Sequence, residues 1–221
     1  MPKTHILVHS SSPKVIIAEV SVSNTELNIW ARKQVRFPER DVPSHSSQKQ
    51  REHYAVNNAM LHFDAPWSLA KITHDANGKP KLSDNTSAIS ISHHSKGDIC
   101  WVVICIGPDF VGCDIEHTRE QLHSISKRFL NEREQNDFKT TPLLCCAWGI
   151  KESMFKSIGS DVDFRADLEV DPFSIPQTKS FDVTGKVRGQ ASHWRIWKIN
   201  PTNEGNQPIY EMYAVAGPII D

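Results

Sequence analysis

Ile99-Cys-Trp-Val-Val-Ile-Cys-Ile-Gly-Pro108 is a continuous apolar run closed by Gly-Pro. Tyr210-Glu-Met-Tyr-Ala-Val-Ala-Gly-Pro218 closes the same way 110 positions later. A short apolar run bounded by turn residues reads as a buried strand. The interval is half of the 221-residue chain, as a duplicated fold would produce, although a chance recurrence of one dipeptide would look the same. Outward from these two runs, further strands are expected over residues 6–8, 15–20, 88–92, 111–116, 181–187 and 193–199. Helical patterning covers 47–63, 121–130 and 142–158, the last with Pro142 at its start and Gly159 past its end. Asn131-Glu-Arg-Glu134 fits a capping box, Asp75-Ala-Asn-Gly-Lys-Pro80 is turn chemistry, and 37–47 reads as a loop. Strands and helices interleave, so the expected class is α+β, a mixed α/β architecture.

The bulk composition narrows the function classes. Lys and Arg number 25 against 26 Asp and Glu, which argues against a nucleic-acid binder held by a whole-domain basic field. No apolar run is long enough to cross a membrane, and the start Met1-Pro2-Lys3-Thr4-His5 lacks the apolar stretch of a secretory signal. A soluble, cytoplasmic protein is expected. The five cysteines form no CxxC and sit mostly in apolar runs, so buried reduced thiols are expected. The eleven histidines show no HExxH spacing.

Four segments could carry chemistry. In Val111-Gly-Cys-Asp-Ile-Glu116 the two-residue strand period sends Gly112, Asp114 and Glu116 to one face. Two carboxylates beside the open backbone of a glycine suit a hard divalent cation such as Mg²⁺, but an ordinary strand with its acidic face in solvent has the same pattern. In Trp148-Gly-Ile-Lys-Glu-Ser-Met-Phe-Lys156, Trp148, Glu152 and Lys156 share one helix face. Glu152 could complete a metal shell and Lys156 could meet phosphate, or the two could form an exposed i,i+4 pair. Ile89-Ser-Ile-Ser-His-His-Ser-Lys-Gly97 ends a strand in phosphate donors or in a solvated hairpin. Neighbouring strand residues point to opposite sides, so at most one of His93 and His94 enters a site. Gly78-Lys79-Pro80 is a turn bearing a lysine.

Together and in this order, these segments resemble the surfactin-type family of 4′-phosphopantetheinyl transferases. The chain reads Gly78-Lys79-Pro80, then Ile91-Ser92-His93-His94, then Gly112-Cys113-Asp114-Ile115-Glu116, then Trp148-Gly-Ile-Lys151-Glu152-Ser153-Met-Phe-Lys156. Ser126-Lys-Arg-Phe129 matches the segment between the last two. The resemblance covers residues 75–160 well and the flanks loosely. Where the family often has Arg followed by a Gly-Arg or Gly-Asp pair on the first helix, the chain has Arg51-Glu-His53-Tyr-Ala-Val-Asn57-Asn58; His94 replaces a serine, and the segment after Gly159 lacks a second glycine.

The resemblance implies two similar α/β halves related by a pseudo-twofold, residues 1–109 and 110–221, with the active site in the cleft between them and the metal motifs in the second. It implies transfer of the 4′-phosphopantetheine arm of coenzyme A to a serine of an apo acyl or peptidyl carrier protein, releasing 3′,5′-ADP. Asp114, Glu116 and Glu152 would hold Mg²⁺, for which Mn²⁺ could substitute. Glu152 would also be the base toward the serine, and Lys156 would stabilise the departing ADP. Lys79, Pro80, Ser92, His93, Asp114 and Lys156 would contact coenzyme A, and Arg51 or His53 its 3′-phosphate. The partners implied are coenzyme A and the carrier, with no nucleic acid and no membrane, for a monomeric enzyme. The competing reading is a non-catalytic coenzyme A or carrier-protein binding module on the same fold. A hydrolase that removes the arm would call for several His and Asp ligands to paired metals, a pattern the chain lacks.

Overall fold

Two antiparallel sheets with their helices organise two compact units, Met1–Asp109 and Phe110–Asp221. The computed structural model describes residues 3–11, 14–31, 47–83, 86–159, 161–200 and 211–219. The loop expected over 37–47 lies outside them up to residue 46, as does Tyr210.

The first unit contains β1 (Lys3–Ser11), β2 (Lys14–Ser21), α1 (Asn24–Ala31), α2 (Ser47–Met60), β3 (Ile72–His74), β4 (Pro80–Leu82), β5 (Ala88–Lys96) and β6 (Ile99–Gly107). They build one sheet in the order β1-β2-β6-β5-β4-β3. Helix α2 lays Tyr54, Ala55, Ala59 and Met60 on Ile16, Ala18, Val20, Val102 and Ile104. Such burial contributes roughly 1.5–3 kcal/mol for each large aliphatic side chain. The β3–β4 hairpin turns at Gly78, whose φ of +81° is glycine territory. Asp75 Oδ1 accepts from the amides of Asn77 and Lys79, both at 2.9 Å, which sets the turn that carries Lys79.

The second unit contains β7 (Gly112–His117), α3 (Gln121–Phe129), α4 (Glu132–Asp137), α5 (Thr141–Ile158), β8 (Leu168–Val170), β9 (Ser180–Val187), β10 (Gln190–Ile199) and β11 (Met212–Gly217). Its sheet runs β7-β11-β10-β9-β8. Setting β1 aside, this is the connectivity of the first unit: a strand, helices, then four strands, the last inserted beside the first. The two Gly-Pro dipeptides therefore close equivalent strands, β6 and β11. The expected elements are present within one to three residues at most ends. The helix α1 and the short strands β3, β4 and β8 are additions. Three-residue strands are too short to show a period, and their sheet neighbours define them.

Helix α5 starts on Thr140 and Pro142, ends at Gly159, and buries Leu144, Ala147, Ile150 and Met154 against Val183, Ile196, Tyr213 and Val215. It also turns a lysine inward. Lys151 has no exposed surface, and its Nζ donates to Glu134 Oε2 at 2.7 Å and to the carbonyls of Phe129, Phe164 and Leu168 at 2.7–2.8 Å. Burial pulls its pKa below the ordinary lysine value, and Glu134 works against that pull. The same carboxylate accepts from the amides of Asn131 and Val170, so the expected capping box forms and also ties α4 to β8.

A buried ion pair costs most when one partner is removed, about 3–5 kcal/mol. Lys151→Met should lose about that much in urea unfolding, and Lys151→Met/Glu134→Gln should recover part of it. A single-variant loss under ~1 kcal/mol would show the pair to be dispensable.

Candidate active site

Strand β7 presents Gly112, Asp114 and Glu116 to the helix α5. Gly112 is there because nothing larger fits: a Cβ at this position would lie 1.8 Å from the Ser153 carbonyl oxygen. The expectation that this glycine leaves open backbone for a ligand is corrected accordingly, since α5 occupies that space. Gly149 performs the matching service from the helix, where an added Cβ would sit 3.2 Å from Val215 and 3.8 Å from Asp114 Oδ2. The close approach of strand and helix buries the acidic face, leaving Asp114 7% and Glu116 9% exposed. The solvent-face alternative for this strand is excluded.

Each of these carboxylates has a cation of its own. Lys156 Nζ lies 2.7 Å from Asp114 Oδ1 and 3.1 Å from the Cys113 carbonyl, so it reaches the strand and does not form the simple helix-surface pair with Glu152. Burial works against the ammonium. Asp114, Cys113 and Glu152 together outweigh it, and the Lys156 pKa stands above the ordinary lysine value. Glu116 is forked by Arg119, Nη1 to Oε1 at 2.9 Å and Nη2 to Oε2 at 2.8 Å, and its Oε1 also accepts from the His117 amide at 3.0 Å. Glu152, half-buried on α5, has no ion-pair partner within 4.0 Å among the described residues. Burial, then the charges of Asp114 and Glu116, raise its pKa, and Lys156 offsets part of the rise.

This donor set suits a hard divalent cation. Three carboxylates in one strand–helix junction are close enough for Asp114 and Glu116 to penalise ionisation of Glu152, and a divalent cation relieves that repulsion. Among the described residues the three do not bring one oxygen each within 4.8 Å of one another; Lys156 holds Asp114 and Arg119 holds Glu116.

The first unit places its expected residues less uniformly. Lys79 and Pro80 line a cavity of 370 Å³ with Leu82, Ser87 and Pro108. On β5, Ile91 packs under α2, and His93, on the same side, lies 3.7 Å from Glu52 of that helix. Ser92 and His94 face the other way, where His94 stacks on Trp101 at 6.0 Å. Ser92 and His93 are therefore offered to opposite faces. Arg51 is 6% exposed and donates to Asp98 Oδ1 at 2.9 Å and Asn24 Oδ1 at 3.1 Å. His53 is half-buried on α2.

Sequence reasoning missed Arg119 and the inward course of Lys151 to Glu134, which it read only as part of a capping box. A signal for Arg119 was present, since it stands three positions after Glu116 in Glu116-His-Thr-Arg119. No periodicity marks Lys151, because its partner is 17 residues away on another helix.

The residues that the family model of the 4'-phosphopantetheinyl transferase superfamily matches are 110–216, which begin at the first residue of the second unit and end within β11. Over 105 residues, 44% of this chain, the sequence is 30% identical to 4'-phosphopantetheinyl transferase Sfp of Bacillus subtilis (strain 168). That alignment spans 43% of the relative's length. The resemblance carried by the motifs is borne out.

The raised Glu152 pKa has a signed consequence. The native state keeps its proton to higher pH than the unfolded chain, so stability falls as pH rises from the ordinary carboxylate range through the native value. In metal-free protein, Glu152→Gln should therefore melt higher than wild type at pH 7, with the gap closing toward pH 4. Equal melting temperatures across that range would place Glu152 outside the acidic cluster.

Proposed function

We propose that this chain, whose second unit matches the family model of the 4'-phosphopantetheinyl transferase superfamily, transfers the 4′-phosphopantetheine arm of coenzyme A to a serine hydroxyl of an apo acyl or peptidyl carrier protein. The observation that carries this reading is the buried junction of Asp114, Glu116, Glu152 and Lys156 inside the unit that matches the family. Asp114, Glu116 and Glu152 would hold Mg²⁺, which when bound would neutralise pyrophosphate charge. Manganese, with similar oxygen preference, substitutes.

The chain's own residues then divide the work. The serine oxygen forms a bond to the β-phosphorus while the bond from that phosphorus to the bridging oxygen of 3′,5′-ADP breaks. Glu152 takes the serine proton, directly or through a water. Lys156, held cationic by its acidic neighbours, meets the negative charge that grows on the leaving ADP. Lys79, Pro80, Ser92 and His93 bind the adenosine-phosphate end, and Arg51 or His53 the 3′-phosphate. Transfer of this kind depends on position and electrostatics more than on covalent help from the protein.

The direct test is intact-mass analysis of apo-carriers incubated with this protein, coenzyme A and Mg²⁺. Transfer should appear, stop with EDTA, and return with Mg²⁺ or Mn²⁺. Binding of both partners without any mass gain would favour the non-catalytic module. Asp114→Ala, Glu116→Ala and Glu152→Ala should each nearly abolish transfer, and normal rates in any two would remove the metal assignment. Lys156→Met should cost ~10²–10³ in kcat, with partial recovery in Lys156→Arg.

Substitutions at the adenosine end should behave differently, raising KM more than they lower kcat. Lys79→Ala and His93→Ala are the informative pair, with dephospho-coenzyme A as the second substrate. If loss of the 3′-phosphate costs wild type and His93→Ala equally, His93 does not touch that phosphate.

A further inference from the structure

Two carboxylates of the acidic junction carry a cationic partner each. The transferase reading, on which the role inferred for Arg119 rests, assigns work to only one of those cations, Lys156. Arg119 is the other. It stands just past β7, where the Thr118 amide donates to the Glu211 carbonyl at 2.8 Å and fixes the backbone beside it. Both terminal nitrogens of its guanidinium are committed to Glu116, one to each oxygen, at 2.9 and 2.8 Å. The Glu116 side chain is 12% exposed and the Arg119 side chain 32%, so the anion is enclosed while its cation retains a route outward.

A fork of this kind takes the inner lone pairs of both carboxylate oxygens, the ones a divalent cation would also use. The metal and Arg119 therefore compete for Glu116. A guanidinium released from a carboxylate keeps its charge and its planar array of donors, which matches phosphate oxygens as well as it matches carboxylate.

We propose that Arg119 is a positioning residue of the metal–diphosphate site: it holds Glu116 as an internal counter-ion, yields it to an arriving divalent cation, and then meets a diphosphate oxygen of coenzyme A. One residue thus weakens binding of the metal alone and strengthens binding of coenzyme A once the metal is present. The two ligands become thermodynamically linked through Arg119, and linkage of this sort is commonly about 5–150-fold in affinity.

Binding measurements without carrier protein, and hence without turnover, test this. Mn²⁺ affinity is read by paramagnetic resonance titration, and coenzyme A affinity by calorimetry with Mn²⁺ saturating. Arg119→Ala should bind Mn²⁺ alone about fivefold or more tighter and coenzyme A more weakly by a comparable factor. Arg119→Lys, which keeps the charge but not the fork, should fall between that variant and wild type. A purely structural arginine would shift both affinities the same way or neither, and either result overturns the inference while leaving the transferase reading intact. A wild-type protein that binds neither Mn²⁺ nor coenzyme A would overturn both.

Discussion

Lys151 is an ammonium with no exposed surface and four acceptors within 2.8 Å: the Glu134 carboxylate and the carbonyls of Phe129, Phe164 and Leu168. Those acceptors come from the end of α3, from α4, from the segment after α5 and from β8, so one side chain gathers four parts of the second unit. Taking the charge out of water is costly, and the arrangement is sustained because every donor and the partner carboxylate are satisfied. The consequence for chemistry is rotational. With Lys151 fixed inward, the next residue along α5, Glu152, is carried to the junction with β7, and Lys156 reaches Asp114 from just over one turn further on.

Glycine at two positions completes that junction. Gly112 lets β7 lie against the Ser153 carbonyl, and Gly149 leaves room for Val215 and Asp114. In the first unit the equivalent strand, β2, offers Ile16, Ala18 and Val20 to its helix, and the contact is ordinary hydrophobic packing. In the second unit the strand face turned to the helix carries Gly112, Asp114 and Glu116. The two units share connectivity, yet one uses the strand–helix contact for stability and the other spends it on buried charge. Lys156 and Arg119 limit the cost of that charge, and Glu152 shows the remainder as a raised pKa.

Such a junction holds internal cations of the kind that the proposed metal and diphosphate would replace. The attraction between Lys156 and Asp114, or Arg119 and Glu116, is of the same electrostatic kind as that between a divalent cation and a carboxylate, or between an ammonium and a phosphate.

The sequence by itself determined the α+β class, the long strands and helices, and the motif residues Asp114, Glu116, Glu152 and Lys156. The elements are legible because strand and helix periods are local and act over a few residues, and the motif residues through their order and its resemblance to a known family. The equivalence of the units was hinted at by Gly107-Pro108 and Gly217-Pro218, but only sheet order reveals that both dipeptides close the strand inserted beside the first. Tertiary structure alone decided that the acidic face of β7 turns to α5 and not to water, since alternation specifies two faces without saying what covers either. It alone decided that Lys156 pairs with Asp114, 42 residues away, that Lys151 pairs with Glu134, and that His93 lies beside Glu52 of α2. Those outcomes depend on which elements pack together, and packing is settled by burial and charge compensation over distances that no local pattern records.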